Sequence, residues 1–501
     1  MSSSPARLAI RTALVVAGAT LLARLWFVAH RALDLDEFEH AHAAWSVARG
    51  LLPYRDFFEH HSPGLYLLFA PLFRAPALTT DATAALHALM LARGTMWLLT
   101  AASIAIVYRL ASLAGNRTAA AFAVALLATS SQFLESMLEF RPDVPAVLGV
   151  LLAIWCLTAA DRGDEAMRAG ARFVAAGCAF GAALLFTQKA LFAAPGLGLA
   201  LIVRRRATPA ALFTAGALAP ILATMIYFER HGALAEFWYY AVTINGRLNA
   251  ERFSPFPRLL SNVVQQPAIY VLGAIAITVR LKPDTTGTNG EKVPVVSGFS
   301  RTVILYTALS LVAGIFVIGR AHDQYYSLLL PLLAVLGGSL AAHWIEPTRP
   351  RRPLIAAAMS IALAAWCTAV SARRFAPIDP QIDEIAFVTQ QTQPSDSYVG
   401  GSPGAALFRP HGWYFCFLTG PFATDGDYTT LLHSLESGRV RPRLVVRDRY
   451  LAQRAPAALL AYIDAHYQHA RGDLYLRQSE YGSASLNTSE ASDRLDRPFT
   501  R

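Results

Sequence analysis

The residues best suited to chemistry in this sequence lie between positions 33 and 73, directly after the first long apolar run. The acidic residues and histidines concentrated there include Asp34, Asp36, Glu37, Glu39, Asp56, Glu59, His60 and His61. Carboxylates and imidazoles are the usual groups for proton transfer, for holding polar substrates and for binding metals. Charge beside a bilayer is expensive, so a group this dense predicts a functional site.

A solvated loop or a juxtamembrane amphipathic helix would explain any one of these acidic residues equally well. However, Ala41, Ala44, Trp45 and Ala48 follow the first acidic cluster with helical spacing. This pattern predicts a short interfacial helix whose acidic N-terminal end points at one place. We therefore interpret residues 31–75 as a catalytic loop rather than as scattered surface charge.

Composition places these residues in a membrane protein that crosses the bilayer many times. Of the 501 residues, 54% are hydrophobic and 16% are charged, whereas soluble domains carry roughly a quarter charged residues. The net charge of +10 reflects arginines between apolar runs, so it indicates anionic lipid rather than nucleic acid as the partner. The four cysteines are widely separated and predict neither a disulfide framework nor a cysteine-based metal site.

Eleven apolar runs are candidates for membrane spans, each of which needs about 20 residues. They are residues 8–28, 84–108, 118–133, 144–158, 173–186, 191–203, 210–228, 268–279, 303–318, 328–340 and 354–370. Arg7 and Arg11 place the N-terminus in the cytoplasm, and Arg109, residues 204–206 and Arg349 mark the same side. The expected fold class is a polytopic α-helical membrane protein of about eleven spans, with juxtamembrane helices in the first external loop.

This topology puts further polar clusters on the external side, together with the catalytic loop. They are Arg141 with Asp143, Gln188 with Lys189, and Arg320 with His322 and Tyr325. Because these clusters lie on the same side of the membrane as the catalytic loop, they could form a single site with it. Ordinary alternatives exist for each: an interfacial anchor for Lys189, a structural ion pair for Arg141 with Asp143, and a plain loop residue for His322.

The sequence divides into a membrane domain and a smaller external domain. Residues 1–375 form the membrane domain, and its Gly-, Thr- and Asp-rich tract at 282–300 predicts a disordered cytoplasmic insertion. Residues 376–480 predict a small external α/β domain, and residues 481–501 predict a disordered tail. The expected strands are 397–399 and 443–446, and the expected helices are 382–390 and 456–467.

Taken in order, these motifs resemble the GT-C class of membrane glycosyltransferases, and within it the ArnT-like and protein-mannosyltransferase-like group (glycosyltransferase family 39). The matching segments are Asp36-Glu37, Gly50-Leu-Leu-Pro53-Tyr-Arg-Asp56-Phe-Phe-Glu59-His-His-Ser-Pro63, Glu139-Phe-Arg141-Pro142-Asp143, Thr187-Gln188-Lys189 through Pro195, and Gln324-Tyr325-Tyr326 through Pro331. The resemblance covers roughly residues 8–370. The sequence departs from the family pattern at Gln188, inserted before Lys189, and at Ile244-Asn245-Gly246-Arg247, where ArnT-like enzymes carry a metal-binding histidine and this sequence has none.

The resemblance implies transfer of a sugar from a polyprenyl-phosphate carrier to a lipid, glycan or protein acceptor. The reaction would take place at the external face of a bacterial inner membrane. Asp36 is then the expected general base. Glu37 and Glu59 are expected to orient donor sugar or acceptor, and Asp143 to hold Arg141 or a substrate hydroxyl. The expected ligands of the substrate and its lipid phosphate are Arg141, Lys189, His60, Arg320, His322 and Tyr325.

A divalent metal is the one cofactor that the sequence raises, with Glu59 and His61 as its ligands. Two residues are too few to define such a site. Two other classes of function stay open: a transporter or flippase of lipid-linked sugar, and a non-catalytic relative acting in envelope assembly. Transporters tend to show inverted repeats and polar residues in broken helices near the midplane, whereas the charges of this sequence lie at external helix ends.

Overall fold

A computed structural model of the chain describes residues 5–160, 166–203, 207–248, 254–281, 298–318, 322–345, 351–417 and 422–478. Several predicted features lie outside these residues: the arginines at 204–206, Arg320, Arg349 and the tail at 481–501. The predicted insertion lies outside them up to residue 297, and residues 298–300 already belong to a helix.

Helices begin at the first described residue and build the catalytic loop as well as the bundle. The first six are α1 (Pro5–His30), α2 (Leu35–Ala48), α3 (Gly64–Phe69), α4 (Ala82–Ala114), α5 (Arg117–Ala128) and α6 (Ser131–Ser136). Asp34 and Asp81 stand directly before α2 and α4, and their side chains accept main-chain N–H groups of the first turn. The helix predicted in the first external loop is therefore α2.

The middle of the chain forms a tightly packed group of helices. These are α7 (Asp143–Ala160), α8 (Ala166–Phe186), α9 (Ala194–Val203), α10 (Ala207–Arg230), α11 (Leu234–Trp238) and α12 (Ile244–Leu248). A 3₁₀ turn, Gln188–Ala193, leads into α9, and a π-helical turn, Tyr239–Thr243, joins α11 to α12. α8 packs between α7 and α10.

The last helices of the membrane domain are α13 (Phe256–Gln265), α14 (Pro267–Leu281), α15 (Gly298–Val317), α16 (Leu330–Trp344) and α17 (Arg351–Arg373). α13 and α14 meet at an angle of 110°. α17 returns to pack against α1, and α16 packs against α5 and α14.

Seven helices in the described part of the chain are long and apolar enough to cross a membrane: α1, α4, α7, α8, α10, α15 and α17. The bent pair α13 and α14 makes an eighth span if it is counted as one. Helices cover most of each of the eleven predicted runs, and the predicted polytopic helical fold is confirmed. α5 and α16 are shorter because protein surrounds them: residues 119–128 and 330–338 are buried throughout. A helix enclosed by protein need not match the bilayer with its own apolar length.

The C-terminal domain combines helices with one small sheet. Its elements are α18 (Asp379–Gln391), β1 (Tyr398–Gly400), α19 (Asp425–Glu436), β2 (Leu444–Val446), α20 (Arg449–Arg454), α21 (Ala457–His466), β3 (Tyr467–Arg471) and β4 (Leu474–Arg477). The strand order is β1-β2-β4-β3, with β1 parallel to β2 and the other pairs antiparallel. The β3–β4 hairpin was not predicted; its turn uses Gly472, whose φ is +51°.

The C-terminal domain is in direct contact with the first loop of the membrane domain. The main-chain N–H of Phe58 donates to the carbonyl of Tyr414 at 2.8 Å, and the Tyr414 hydroxyl donates to the carbonyl of Tyr54 at 2.5 Å. Phe58 also packs against the rings of Phe415 and Phe417. The catalytic loop and the C-terminal domain therefore share one apolar core at the end of the bundle where α2 lies, which we call the site end.

Candidate active site

Asp34 and Asp36 are fixed at the first turn of α2 by the local sequence. Oδ1 of Asp34 accepts the main-chain N–H of Asp36 at 3.1 Å, and Oε2 of Glu37 accepts the main-chain N–H of Asp34 at 2.9 Å. The Asp34 side chain also accepts the main-chain N–H of Glu37, so Asp34 and Glu37 form a capping box. The positive end of the helix dipole favours carboxylates at this position. Both aspartates extend from a rigid turn, with side chains 42% and 32% exposed.

Glu37 points the opposite way, into the protein, and is 1% exposed. Its two oxygens accept from Nε and Nη2 of Arg93 at 2.8 and 2.5 Å, and Oε1 also accepts the main-chain N–H of Phe140 at 3.0 Å. Arg93 further donates to the carbonyls of Arg31 and Ala32 at the end of α1, at 2.6 and 2.9 Å. In this geometry Glu37 is a buried brace between helices, not the substrate-orienting group expected from the sequence, because both of its oxygens are already occupied.

Arg141 joins the two aspartates into one charged cluster. Its Nη2 donates to Oδ1 of Asp34 at 2.8 Å and to Oδ2 of Asp36 at 2.5 Å. The charge of Arg141 and the hydrogen bonds to the carboxylate outweigh the effect of burial and lower the pKa of Asp34. Oδ1 of Asp36 accepts no hydrogen bond from any residue that the structure describes. One oxygen of this half-exposed carboxylate is therefore open to a substrate.

Glu139 closes this cluster on its buried side. Oε2 of Glu139 lies 2.6 Å from Nε of Arg141, and its Oε1 accepts from Nη2 of Arg31 at 2.7 Å. Burial raises the pKa of Glu139 to about 7, although the charges of Arg141 and Arg31 act in the opposite direction. The carboxyl group therefore changes its charge near neutral pH, next to the guanidinium that holds the two aspartates.

Lys189 lies at the same end of the bundle and is paired with Asp143. Its Nζ is 2.7 Å from Oδ1 of Asp143 and 4.3 Å from the centroid of the Tyr325 ring. The sequence predicted that Asp143 would hold Arg141 or a substrate hydroxyl. The structure corrects this partner, because the first turn of α7 meets the turn before α9. The Lys189 side chain is 18% exposed, so an anion can reach it from one side.

His322 is close enough to this cluster to be affected by its charges. Burial lowers the pKa of His322, and the positive charges of Lys189 and Arg258 lower it further. The rings of His322 and Tyr325 are 5.6 Å apart. The structure therefore brings Asp36, Arg141, Lys189 and these two rings to one end of the bundle. Two predicted ligands of the substrate and its phosphate are not in this group: Arg320 lies outside the described residues, and His60 lies beside Glu59.

Glu59 organises a second cluster, in which it is fully buried. Its Oε1 accepts the main-chain N–H groups of His60 and His61, both at 2.8 Å, and Nδ1 of His61 at 2.9 Å. Nδ1 of His61 also lies 3.3 Å from Oε1 of Glu39. Burial acts to lower the pKa of His61, but the two carboxylates outweigh it and raise that pKa to about 10. Burial raises the pKa of Glu39 to about 8.

Three side chains hold the main-chain carbonyls of this second cluster. Asn245 Nδ2 and Gln188 Nε2 donate to the carbonyl of His60 at 2.6 and 3.1 Å. The Tyr54 hydroxyl donates to the carbonyl of His61 at 2.7 Å. Gln188 and the segment 244–247, which contains Asn245, are the places at which the sequence departs from the family pattern. The side chains of Gln188 and Asn245 meet at one carbonyl and both hold this turn.

The second cluster fits a divalent cation. Three buried atoms lack a hydrogen-bond partner among the described residues: Oε1 of Glu39, Oε2 of Glu59 and Nδ1 of His60. Such unsatisfied buried atoms are rare and call for an explanation. One ligand atom from each of Glu39, Glu59, His60 and His61 lies within 4.8 Å of the others. Carboxylate oxygens and imidazole nitrogens suit zinc or manganese. The predicted ligands Glu59 and His61 therefore lie beside two further candidates, Glu39 and His60, and a bound metal stays a prediction.

Sequence reasoning missed Arg93 and gave Glu39 no role. Arg93 lies inside the predicted span 84–108, and a charge inside an apolar span marks a functional or structural centre by default. That signal was present in the sequence. Glu39 follows Asp36 by three positions, which places the two on neighbouring faces of α2. Helical spacing gave no indication that His61 would be its partner.

The described residues form a many-helix membrane protein with acidic clusters at one end of the bundle and a small α/β domain beside them. Residues 87–228 match the family described as dolichyl-phosphate-mannose-protein mannosyltransferase. No curated protein matches the chain.

Among solved structures, ArnT from Cupriavidus metallidurans in the apo state matches with a TM-score of 0.63 and 13% identity, over 92% of this chain and 96% of that one. ArnT from the same organism bound to undecaprenyl phosphate matches with a TM-score of 0.60 and 13% identity, over 92% of this chain and 97% of that one. The archaeal oligosaccharyltransferase AglB from Archaeoglobus fulgidus, in complex with an inhibitory peptide and a dolichol-phosphate, matches with a TM-score of 0.51 and 13% identity. This match covers 88% of this chain and 70% of that one. The expected GT-C fold is confirmed, and the matched family and these neighbours are glycosyltransferases.

Proposed function

We propose that this protein transfers a glycosyl group from a polyprenyl-phosphate-linked sugar to a lipid, glycan or protein of the cell envelope. The observation that carries the proposal is the half-exposed Asp36, with one open oxygen, beside the cations Arg141 and Lys189. A proton acceptor next to two cations suits transfer from a phosphate leaving group. The match to a mannosyltransferase family and the likeness to ArnT bound to undecaprenyl phosphate support it.

In the proposed reaction, an acceptor hydroxyl oxygen forms a bond to the anomeric carbon as the bond from that carbon to the carrier phosphate breaks. Oδ1 of Asp36 takes the hydroxyl proton, while Oδ2 stays hydrogen-bonded to Arg141, which fixes the orientation of the carboxylate. The electron pair of the broken bond leaves with the phosphate. Polyprenyl phosphate and the glycosylated acceptor are the products.

Arg141 and Lys189 are placed to stabilise the charge that grows on the departing phosphate. Nη1 of Arg141 donates to no other described residue, so it is free for a phosphate oxygen. Lys189 keeps its exposed side beside the Tyr325 ring. Charge-assisted hydrogen bonds from such groups are about twice as strong as neutral ones. Asp34 and Asp143 hold the two cations in position in the absence of substrate.

The second cluster is our candidate for holding a divalent cation, with Glu39, Glu59, His60 and His61 as its ligands. When bound, such an ion would act as a Lewis acid toward a phosphate or sugar oxygen. Asn245, Gln188 and Tyr54 hold the turn that carries these ligands through its main-chain carbonyls.

We place the site end on the external face of the inner membrane. Arg109, Arg117, Arg351 and Arg352 lie at the opposite ends of their helices, α4, α5 and α17. Cytoplasmic ends of membrane helices carry an excess of arginine and lysine. The N-terminus would then be cytoplasmic, and the C-terminal domain would be external.

The proposal is tested in a strain that lacks the gene, by analysing envelope glycans and lipid-linked sugars. Asp36→Asn removes the proton acceptor but keeps size and hydrogen bonding, and general-base losses are about 100-fold or more, so it should fail to restore the glycan. Asp34→Asn is the matched control, because Asp34 shares the Arg141 partner and asparagine also caps helices well. It should restore most of the glycan.

An unchanged set of glycans and lipid-linked sugars in the deletion strain would contradict the proposed function. Full complementation by Asp36→Asn would retain the function but move the base to another carboxylate. Asp34 would then be the next to test, because its side chain is also exposed at this turn.

A further inference from the structure

A third cluster of side chains with metal-binding atoms lies where α2 contacts the C-terminal domain. It consists of His42, His411 and Cys416, and one ligand atom from each lies within 4.8 Å of the others. His42 and Cys416 are 0% and 2% exposed. The proposed transfer reaction uses none of these three residues, and their positions 42, 411 and 416 are far apart in the sequence.

Hydrogen bonds fix how the two rings face each other. Nδ1 of His42 lies 2.8 Å from the carbonyl oxygen of Leu407, and Nε2 of His42 lies 3.1 Å from Nδ1 of His411. Because a carbonyl oxygen only accepts, the proton of His42 belongs on Nδ1, and its Nε2 lone pair points at His411. The main-chain carbonyl of Asp56 likewise acts on His411 as a hydrogen-bond acceptor. Histidine ligands of metals are usually held in this way through the other ring nitrogen.

The two rings differ in their access to water. His42 is 0% exposed, whereas His411 is only partly buried. The rings of Trp45, Phe57 and Tyr398 pack around the pair, with centroids 5.4 to 5.8 Å away. Aromatic surface therefore encloses His42, and the partly exposed side of His411 leaves room for solvent.

We propose that His42, His411 and Cys416 bind one Zn²⁺ ion, with solvent as the fourth ligand. Two imidazoles and a thiolate are zinc ligands at distances of about 2.0–2.3 Å, which places them roughly 3.3–3.6 Å from one another. The three ligand atoms reach this geometry by small side-chain movements from their present separations. On binding, the Cys416 thiol releases its proton to solvent and its sulfur bonds to the metal.

The ion would tie the first external loop to the C-terminal domain. Cys416 also contacts the carbonyl of Phe58, with Sγ 3.9 Å from the oxygen. The metal would therefore anchor the segment that leads to Glu59. The second cluster, Glu39, Glu59, His60 and His61, contains no sulfur ligand. A signal from a metal–sulfur bond therefore separates the two sites.

The test uses the full-length protein in detergent, stripped of metal and titrated with Co²⁺ as a spectroscopic substitute for Zn²⁺. We expect a near-ultraviolet thiolate-to-cobalt band that saturates at one equivalent and is displaced by Zn²⁺. Cys416→Ser and His42→Gln should lose this band. Cys178→Ser is the matched control, because Cys178 is a free, partly buried cysteine in α8, and it should keep the band. A wild type without the band, or a band that survives Cys416→Ser, overturns the proposal.

A second measurement needs no variant. Wild type loaded with one equivalent of Zn²⁺ is examined by X-ray absorption at the zinc edge, where a sulfur ligand at about 2.3 Å is distinct from nitrogen and oxygen ligands. One sulfur per zinc supports the site. A zinc ion with only nitrogen and oxygen ligands overturns it and assigns the metal to the second cluster instead.

Discussion

Both cations of the proposed phosphate site are already paired with carboxylates of the protein. Arg141 is bound by Asp34 and Asp36, and Lys189 by Asp143. Such pairing offsets the cost of placing a cation away from water, and it holds the side chain where a ligand needs it. It also means that an anionic substrate competes with these carboxylates. The strength of substrate binding therefore depends on which of these hydrogen bonds are exchanged when the phosphate arrives.

Lys189→Met should weaken binding of undecaprenyl phosphate by about tenfold or more, the loss expected for one charged hydrogen bond. It should also lower thermal stability, because Asp143, 3% exposed, is left without its partner. The double variant Lys189→Met with Asp143→Asn removes both charges. It should regain thermal stability but not the affinity for undecaprenyl phosphate. Lipid binding and thermal unfolding are measured on all three proteins in detergent. Wild-type affinity in the double variant would make Lys189 a surface anchor only.

Glu139 predicts a dependence of stability on pH. Its pKa rises from 4.5 to about 7 on folding, with burial as the main cause. Below pH 4.5 the group is protonated in both states; above it, the unfolded chain releases the proton first. The wild type therefore loses stability as pH rises through 7. Glutamine does not titrate, so the melting temperature of the wild type should fall relative to that of Glu139→Gln as the pH rises from 4.5 to 7. The opposite trend would show that Arg31 and Arg141 outweigh burial.

At the scale of elements, α8 and α10 approach closely enough for main-chain contact, beside the stacked rings of Phe180 and Phe213. A Cβ added at Gly177, Gly181 or Gly216 would overlap main-chain atoms of the facing helix. Small residues one turn apart allow this close approach between membrane helices. The packing matters for the site because α8 leads directly into the turn that carries Gln188 and Lys189. A shift of α8 would therefore move Lys189 away from Asp143.

Gly181→Leu should lower the thermal stability of the protein, because overpacking in a tight contact costs about 1–3 kcal/mol or more. Proteolysis should become faster for the same reason. Gly198→Leu in α9 is the matched control, since it adds the same side chain to a helix where nothing lies within 4 Å of an added Cβ. Equal melting temperatures for the two variants would show that the contact between α8 and α10 does not limit stability.

At the scale of the whole molecule, one apolar core joins the catalytic loop, the site end of the bundle and the C-terminal domain. Phe57 and Phe58 belong to the same buried cluster as Tyr398 and Phe417. The main chain is joined as well, because the N–H of Ala32 donates to the carbonyl of Ala376 at 2.8 Å. The C-terminal domain therefore supports the loop that carries both acidic clusters, and we expect it on the same side of the membrane.

The proposed orientation is tested by labelling introduced cysteines in intact cells. Asp464→Cys in the C-terminal domain should react with a thiol reagent that cannot cross the inner membrane, and Arg117→Cys should not. Both native side chains are exposed, so access to the reagent is decided by sidedness. Wild-type cells give the background from the native cysteines. Labelling at position 117 without labelling at position 464 would reverse the topology.

The sequence by itself determined the features that depend on local or periodic interactions. Long apolar runs specify helices because the bilayer requires internal hydrogen bonding, and helices cover most of each of the eleven runs. The order Asp34-Leu-Asp36-Glu37 contains the capping box, since its partners are three residues apart. Positive charge between runs predicted that the acidic clusters share one end of the bundle, and the described residues place them there.

Only the tertiary structure decided which groups are open and which are occupied. Asp36 and Glu37 are neighbours in sequence, but successive residues of a helix point about 100° apart, so one reaches solvent and the other meets Arg93. The pairing of Asp143 with Lys189 and of His42 with His411 joins residues from distant parts of the chain. Such pairings depend on how helices pack against one another, and no periodicity along the sequence records that packing.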